Sequence, residues 1–143
     1  MTYDLTVIIP VYNMENLLSN CLDSIVEQNK LDECSLRVIC VNDGSTDNSQ
    51  KIIEEYSDRF SFIEILNKKN GGVSSARNAG LDMVSDSEYV TFIDPDDSIY
   101  PNYIQNFILN KGSDVIYFDF DLVDSEGKIL KQLNVNPFYS KLE

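Results

Sequence analysis

Along this chain, short apolar runs typical of strands alternate with segments that have the hydrophobic periodicity or composition of helices. Four short apolar runs are rich in β-branched residues, which is typical of buried strands. They cover residues 5–9, 36–41, 62–66 and 89–93. The segments between them have helical periodicity or composition, and they cover residues 14–28, 45–56 and 73–84. Strands that alternate with helices at this spacing predict an α/β fold, with a mostly parallel, Rossmann-like sheet flanked by helices.

Local signals predict the ends of several elements. Asn13 is expected to cap the first helix, and Ser45 or Thr46 is expected to cap the second. Residues 114–123 are expected to form a fifth strand that pairs with residues 128–133. The third helix is rich in Ser and Ala, which predicts a close approach between its backbone and the sheet.

Polar residues collect at the carboxyl ends of three predicted strands. Tyr12 and Asn13 follow the first strand. Asp43 follows the second, and the acidic run at residues 94–97 follows the fourth. Ligands of open parallel sheets bind outside these strand ends. This concentration therefore predicts a functional site at one edge of the sheet.

The acidic run holds three carboxylates in four positions: Asp94, Asp96 and Asp97. Pro95 cannot donate to a sheet ladder, so the strand must end there. Carboxylates this close repel one another unless a cation lies among them, and hard ions such as Mg²⁺ or Mn²⁺ prefer oxygen ligands. Taken alone, the run is equally compatible with a solvated acidic turn that caps the next helix.

Composition narrows the possible functions. With 143 residues and 43% hydrophobic content, the chain is one domain, or part of one, with a real core. A formal charge of −13 argues against binding to nucleic acid or to an anionic membrane surface. The chain has no histidine, which removes the commonest general base and the usual Ser-His and Cys-His systems.

The same composition predicts a cytoplasmic protein. The start of the chain lacks the basic region of a signal peptide, and no apolar run is long enough to span a bilayer. Three cysteines, an odd number without metal-ligand spacing, are expected to be reduced.

The loop after the first strand excludes two common nucleotide sites. It lacks G-x-G-x-x-G, and the chain contains no G-x-x-x-x-G-K-[ST]. Tyr12 is suited to form the wall of a slot for a flat base, although Tyr12 taken alone is better explained as a half-buried loop aromatic. Asp43 is suited to accept a hydrogen bond from a base edge, or to cap the helix that follows it.

Four segments together resemble the inverting family 2 glycosyltransferases of GT-A fold. They are Val7–Asn13 (VIIPVYN), Val41–Asp47 (VNDGSTD), Gly71–Gly80 (GGVSSARNAG) and Phe92–Asp97 (FIDPDD). Their order and spacing fit the family from about Thr6 to Pro101. The resemblance implies transfer from a nucleotide-sugar donor, with UDP as the expected nucleotide. The acceptor would be a hydroxyl of a saccharide or a lipid-linked molecule, with surface-polysaccharide assembly as the commonest setting.

The resemblance also implies roles for single residues. Those on the donor side would be Pro10, Tyr12, Asn13, Glu15, Asp43, Arg77 and Asp94. Asp43 would read the base edge, and Arg77 would lie beside the phosphates or orient Asp94. Asp96 would contact a Mg²⁺ or Mn²⁺ ion that bridges the phosphates, while Asp94 would approach the ribose or the hydration shell of the ion. Asp94 and Asp96 are therefore the expected catalytic residues. Lys68 and Lys69 are expected to be exposed loop charges.

The resemblance does not extend to a catalytic base. Such enzymes carry an acidic base well after the acidic motif, whereas Asp114, Asp119 and Asp121 lie in no acceptor motif that we recognise. We therefore expect residues 1–143 to be a single donor-binding domain that lacks the acceptor side. A cytoplasmic location, including the inner face of the membrane, follows from the same resemblance.

Two other functional classes stay open. A non-catalytic nucleotide-sugar-binding module would share these motifs. A nucleotidyltransferase of similar fold is disfavoured, because its basic, glycine-rich loop would replace the sequence from Pro10 to Asn13.

Overall fold

A computed structural model describes residues 2–134. Its internal contacts divide the chain after Ile108 into two compact units, which we describe separately. The expectation that residues 1–143 form one domain without an acceptor side stays a prediction.

The first unit is a four-stranded, fully parallel sheet with helices in its connections. Its strands are β1 Tyr3–Val11, β2 Leu36–Asn42, β3 Ile63–Asn67 and β4 Ser87–Phe92, in the order β3-β2-β1-β4. Its helices are α1 Leu18–Val26, α2 Ser49–Arg59 and α3 Val73–Asp82, with a 3₁₀ turn at Leu31–Glu33. A further helix, α4 Tyr103–Asn110, runs across the division between the units. The predicted α/β class with a parallel sheet is confirmed.

One face of the sheet is covered by α3. Ala76 packs there in a buried cluster with Ile8, Ile39 and Val41, which alternate toward this face along β1 and β2. A Cβ built on Gly80 would come within 2.5 Å of Ile8 Cγ2, so only glycine lets the helix backbone lie this near the strand. The predicted close approach of the small-residue helix is confirmed.

The opposite face lies beneath α1 and α2. Cys40 of β2 is fully buried there, and burial, together with the nearby Cys21 of α1, raises the pKa of its thiol. The Tyr56 hydroxyl of α2 donates a 2.5 Å hydrogen bond to Asp23 Oδ1 of α1, which joins the two helices. The three cysteines are buried and none is in a disulfide within the described residues, which agrees with the expectation that they are not a disulfide framework.

Two predicted helix starts are wrong. Helix α1 begins at Leu18 instead of residue 14, and α2 begins at Ser49 instead of following a cap at Ser45 or Thr46. Asn13 does not cap α1, because its backbone is left-handed, with φ of 52°, and its side chain bonds to the loop before α2. The cap residues were identified correctly as hydrogen-bonding groups but were assigned to the wrong partners.

The second unit contains a two-stranded antiparallel hairpin. Strand β5 Phe120–Val123 pairs with β6 Ile129–Leu133, so the predicted pairing is confirmed. The predicted strand over residues 114–119 is wrong. Asp124 Oδ1 accepts from the amides of Glu126 and Lys128 in the connecting turn, and this turn sets a register in which β6 ends opposite Phe120. Within residues 2–134, no helix combines the length and apolar content needed to cross a bilayer.

Candidate functional site

A cleft of about 570 Å³ lies at the carboxyl edge of the parallel sheet. It brings together six of the residues that the sequence singled out: Pro10, Tyr12, Asp43, Arg77, Asp94 and Asp96. The loops after β1, β2 and β4 contribute four of them, Pro10 lies near the end of β1, and α3 contributes Arg77. The expectation that these strand ends converge on one edge is therefore met.

The remainder of the cleft is largely apolar. Its apolar lining includes Val11, Met14, Val73 and Ala76. Tyr12, which also lines the cleft, is 46% exposed. An exposed aromatic ring above apolar side chains provides a flat surface of the kind on which a planar ring can stack. The polar groups are few beside the apolar ones, which is the usual composition of a small-molecule site.

Asn13 and Glu15 are not among the residues that line the cleft. The Asn13 amide donates to Ser45 Oγ at 3.1 Å, and the Asn13 side chain accepts from the Thr46 amide at 2.8 Å. Glu15 accepts from the amide and the side chain of Asn48, at 3.0 and 2.8 Å. These contacts, which we call the loop clasp, tie the loop after β1 to the loop after β2 and hold the backbone next to Tyr12.

Asp43 lies at the side of the cleft, with a side chain only 3% exposed. Its Oδ1 accepts from Lys68 Nζ at 2.5 Å and from the Gly71 amide at 3.0 Å, and its Oδ2 accepts from the Gly72 amide at 2.8 Å. Burial acts to raise the pKa of Asp43, but these hydrogen bonds and the Lys68 charge outweigh it and hold the pKa below its ordinary value. Asp43 is therefore a buried carboxylate whose charge is compensated by donors within the protein.

Lys68 was expected to be an exposed loop charge, and that prediction is wrong. Its side chain is 21% exposed, and its ammonium group contacts Asp43 and the Lys69 carbonyl oxygen. The partner lies 25 residues earlier in the chain, so no local pattern marks Lys68 as paired. The sequence signal that could have indicated a paired lysine is its position shortly before the two glycines, Gly71 and Gly72.

The acidic residues after β4 form the second electrostatic feature of this edge. Asp94, Asp96 and Asp97 each offer a carboxylate oxygen, and these atoms lie within 4.8 Å of one another. Burial and the charges of Asp96 and Asp94 raise the pKa of Asp97. Carboxylates this close repel one another, and together they form an all-oxygen donor set, which suits Mg²⁺ or Mn²⁺. The residues present therefore fit the expected divalent ion.

Arg77 is the cation that contacts this acidic set. Its Nη2 donates to Asp94 Oδ1 at 2.6 Å, and its guanidinium carbon lies 5.8 Å from the centre of the Phe92 ring. Its Nε is buried without a hydrogen-bond partner in the described structure. A fixed guanidinium at this position orients Asp94, which is one of the two roles expected for Arg77.

Comparison with known proteins agrees with this geometry. The family model described as glycosyl transferase family 2 matches residues 6–132. Glycosyltransferase GlyA of Streptococcus pneumoniae is 38% identical over 144 aligned positions, which cover 96% of this chain and 20% of GlyA.

Solved structures show the same fold. S. aureus TarS 1–349 in complex with UDP-GlcNAc has a TM-score of 0.67 and 29% identity, over 76% of this chain and 30% of TarS 1–349. The mannosyltransferase PcManGT of Pyrobaculum calidifontis, in complex with GDP-Man and Mn²⁺, has a TM-score of 0.65 and 24% identity, over 74% of this chain and 31% of that protein. The chain thus spans a fifth to a third of the length of these relatives. From the family match and the relative that covers almost all of it, we conclude that this chain belongs to glycosyl transferase family 2.

Proposed function

We propose that this chain binds the nucleotide-sugar donor of an inverting, metal-dependent glycosyltransferase. The observation that carries the proposal is the single cleft that gathers Tyr12, Asp43, Arg77 and the acidic residues after β4. The apolar slot and the Asp43 carboxylate suit a base and its edge, Asp94 suits the ribose, and the oxygen-rich corner suits a metal-bound diphosphate. The family match supports the same reading.

Each side chain has a role that fits its environment. Pro10 and Tyr12 would face the base, and Asp43, which lines the cleft, would accept a hydrogen bond from the base edge. Arg77 holds Asp94 at 2.6 Å, so Asp94 is positioned to meet the ribose side of the nucleotide. Asn13 and Glu15 would act on the donor through the loop clasp, which fixes the backbone beside Tyr12.

The acidic residues would hold the divalent ion, with Asp96 as its main ligand. A bound Mg²⁺ or Mn²⁺ would supply charge stabilisation for the departing nucleoside diphosphate. Inverting transfer also needs a base that takes the proton of the acceptor hydroxyl from the opposite face of the sugar. We assign no residue of this chain to that role, so we propose that the chain supplies the donor side of the reaction.

UDP is the proposed nucleotide. The TarS structure, which matches the fold with 29% identity, holds UDP-GlcNAc, and the sequence motifs are those that implied UDP. The acceptor would be a hydroxyl of a saccharide or of a lipid-linked molecule, reached in the cytoplasm or at the inner face of the membrane.

The test is a calorimetric titration of the chain with UDP, GDP, CDP and dTDP, each with and without Mn²⁺. We expect UDP to bind most tightly and its affinity to depend on Mn²⁺. Absence of binding by all four nucleotides would refute the proposal. If UDP binds but a longer product of the same gene transfers no sugar to any hydroxyl acceptor or to water, the chain is a binding module instead.

A further inference from the structure

The buried Asp43 carboxylate joins two loops of the cleft at one point. Asp43 follows β2, and the three groups that donate to it belong to the loop between β3 and α3: Lys68, Gly71 and Gly72. The same loops are also joined by the Asn70 side chain, whose Nδ2 donates to the Asp43 carbonyl oxygen at 3.0 Å. A Cβ on Gly44, which has φ of +74°, would lie 2.9 Å from the Asn70 amide nitrogen. The two loops are therefore in close contact with little room between them.

This contact sets the start of α3. Gly72 is the residue that precedes the helix, with φ of +89°, and its carbonyl oxygen accepts from the Ala76 amide at 3.0 Å. Its own amide is held by Asp43 Oδ2. Arg77, the residue after Ala76 in α3, is the one that orients Asp94. The position of Arg77 in the cleft thus depends on a backbone corner that Asp43 fixes.

Lys68 supplies the charge that this arrangement requires. A carboxylate buried to 3% exposure is costly without a compensating cation, and backbone amides carry no net charge. The Lys68 ammonium lies 2.5 Å from Asp43 Oδ1 and donates again to the Lys69 carbonyl oxygen at 2.8 Å. It therefore binds both the carboxylate and the loop that surrounds it.

We propose that Lys68 is a positioning residue for the donor site, which acts by pairing with Asp43 and fixing the Gly71–Gly72 corner at the start of α3. It keeps the Asp43 carboxylate ionised and oriented, and it keeps Arg77 facing the cleft. The inference rests on the proposed function in that the site it organises is the nucleotide-sugar site.

The chain offers a matched set of variants. Lys68→Met removes the charge and keeps most of the aliphatic stem, and Lys68→Arg keeps the charge. Lys69→Met makes the same change at the neighbouring lysine, whose side chain is exposed. Thermal unfolding of each variant shows which of them fold.

The first measurement needs no ligand. Amide hydrogen exchange at Gly71 and Gly72 should accelerate in Lys68→Met, and it should stay at the wild-type rate in Lys69→Met and near it in Lys68→Arg. Wild-type exchange in Lys68→Met would overturn the proposal, whatever happens to nucleotide binding. If Lys68→Met does not fold, Lys68→Gln takes its place, because it also removes the charge: faster exchange at Gly71 and Gly72 than in Lys69→Met supports the proposal, and equal exchange in these two variants overturns it.

The second measurement is UDP affinity in the presence of Mn²⁺. Loss of a charged hydrogen bond at this point should weaken binding about tenfold in Lys68→Met, with recovery in Lys68→Arg and no change in Lys69→Met. The acid limb of UDP binding should also move to higher pH in Lys68→Met, because the described groups that contact the Asp43 carboxylate are Lys68 and the amides of Gly71 and Gly72, and Lys68 is the charged one. A loop effect without a role for the Asp43 charge would leave that limb in place.

The two failures are distinguishable. If the wild-type chain binds no nucleoside diphosphate, the proposed function fails, and the role of Lys68 in the donor site fails with it. If the wild type binds UDP and Lys68→Met binds it equally well, only the inference about Lys68 fails.

Discussion

Two acidic sites at the same edge of the sheet are treated in opposite ways. At the first, the Asp43 carboxylate is buried and accepts hydrogen bonds from Lys68, Gly71 and Gly72. At the second, Asp96 and Asp97 are exposed, and in the described part of the chain the acidic set is contacted by the Arg77 guanidinium, through Asp94. The pKa of Asp43 lies below its ordinary value, whereas that of Asp97 lies above it.

The difference separates a carboxylate whose charge the protein itself compensates from carboxylates whose mutual repulsion is left for a bound cation to relieve. Where the protein supplies its own donors, the charge is compensated before any ligand arrives. Where it does not, repulsion among carboxylates persists, and a divalent ion would relieve it. We therefore expect substitutions at the two sites to affect different quantities, namely folding stability at Asp43 and metal-dependent binding at Asp96.

The largest effect is expected from Asp43→Asn. The change leaves the Lys68 ammonium, 21% exposed, without its buried counter-charge. Breaking a buried pair costs about 3–5 kcal/mol, and partial exposure of Lys68 places this case near about 3 kcal/mol. Chemical denaturation measures the loss, and Asp96→Asn is the control that should leave stability almost unchanged. Equal losses in the two variants would contradict the contrast between the sites.

The pH dependence of folding stability should also reflect the pairing of Asp43 with Lys68. Asp43 has a lowered pKa in the folded state, so its contribution is present above the unfolded value of about 3.9 and is lost as pH falls through the folded pKa. The stability gap between wild type and Asp43→Asn should therefore narrow below about pH 4. Denaturation curves from pH 7 to pH 2.5 test this, and a gap that is constant over the whole range would refute it.

The next effect is on binding at the acidic set. Asp96→Asn removes one charge from an exposed side chain and keeps its shape, so the fold should survive. Loss of a charged contact corresponds to about 1.5–3 kcal/mol, or roughly 10- to 150-fold in the Mn²⁺-dependent affinity for UDP. Calorimetry with and without Mn²⁺ measures it. An unchanged Mn²⁺-dependent affinity would show that Asp96 is not a metal ligand.

The sequence predicted one of these sites better than the other. The acidic set follows a strand that Pro95 must end, and three carboxylates in four positions can be read directly from the chain. The pairing of Asp43 could not be read in this way, because Lys68 lies 25 residues later and meets it only when β2 and β3 pair. Local patterns identify neighbours along the chain, and long-range ion pairs require the sheet register.

The fold shows the same limit. The order and parallel arrangement of the strands followed from periodicity, since alternating strands and helices leave few topologies. The starts of α1 and α2 could not be predicted from the sequence in this way, because Asn13 and Thr46 bond to each other across the loop clasp. Residues that favour caps also favour turns and loop contacts, and only the tertiary structure decides among these partners.

The smallest expected effect is at Asp97, and its sign is opposite to that at Asp43. Burial and the charges of Asp96 and Asp94 raise the pKa of Asp97, so the protonated form is favoured on folding. That contribution is fully present below the unfolded pKa of about 3.9 and is lost as pH rises through the folded pKa.

At neutral pH the ionised Asp97 side chain is slightly destabilising, so Asp97→Asn should stabilise the protein by under about 1 kcal/mol. The gain should disappear below about pH 4, where the wild-type carboxyl is protonated. It should also shrink in Mn²⁺, because a bound cation would compensate the wild-type charge. Thermal unfolding at pH 7 and pH 3.5, with and without Mn²⁺ at pH 7, measures both changes. A loss of stability at pH 7 without metal would show that Asp97, like Asp43, is already compensated by the protein.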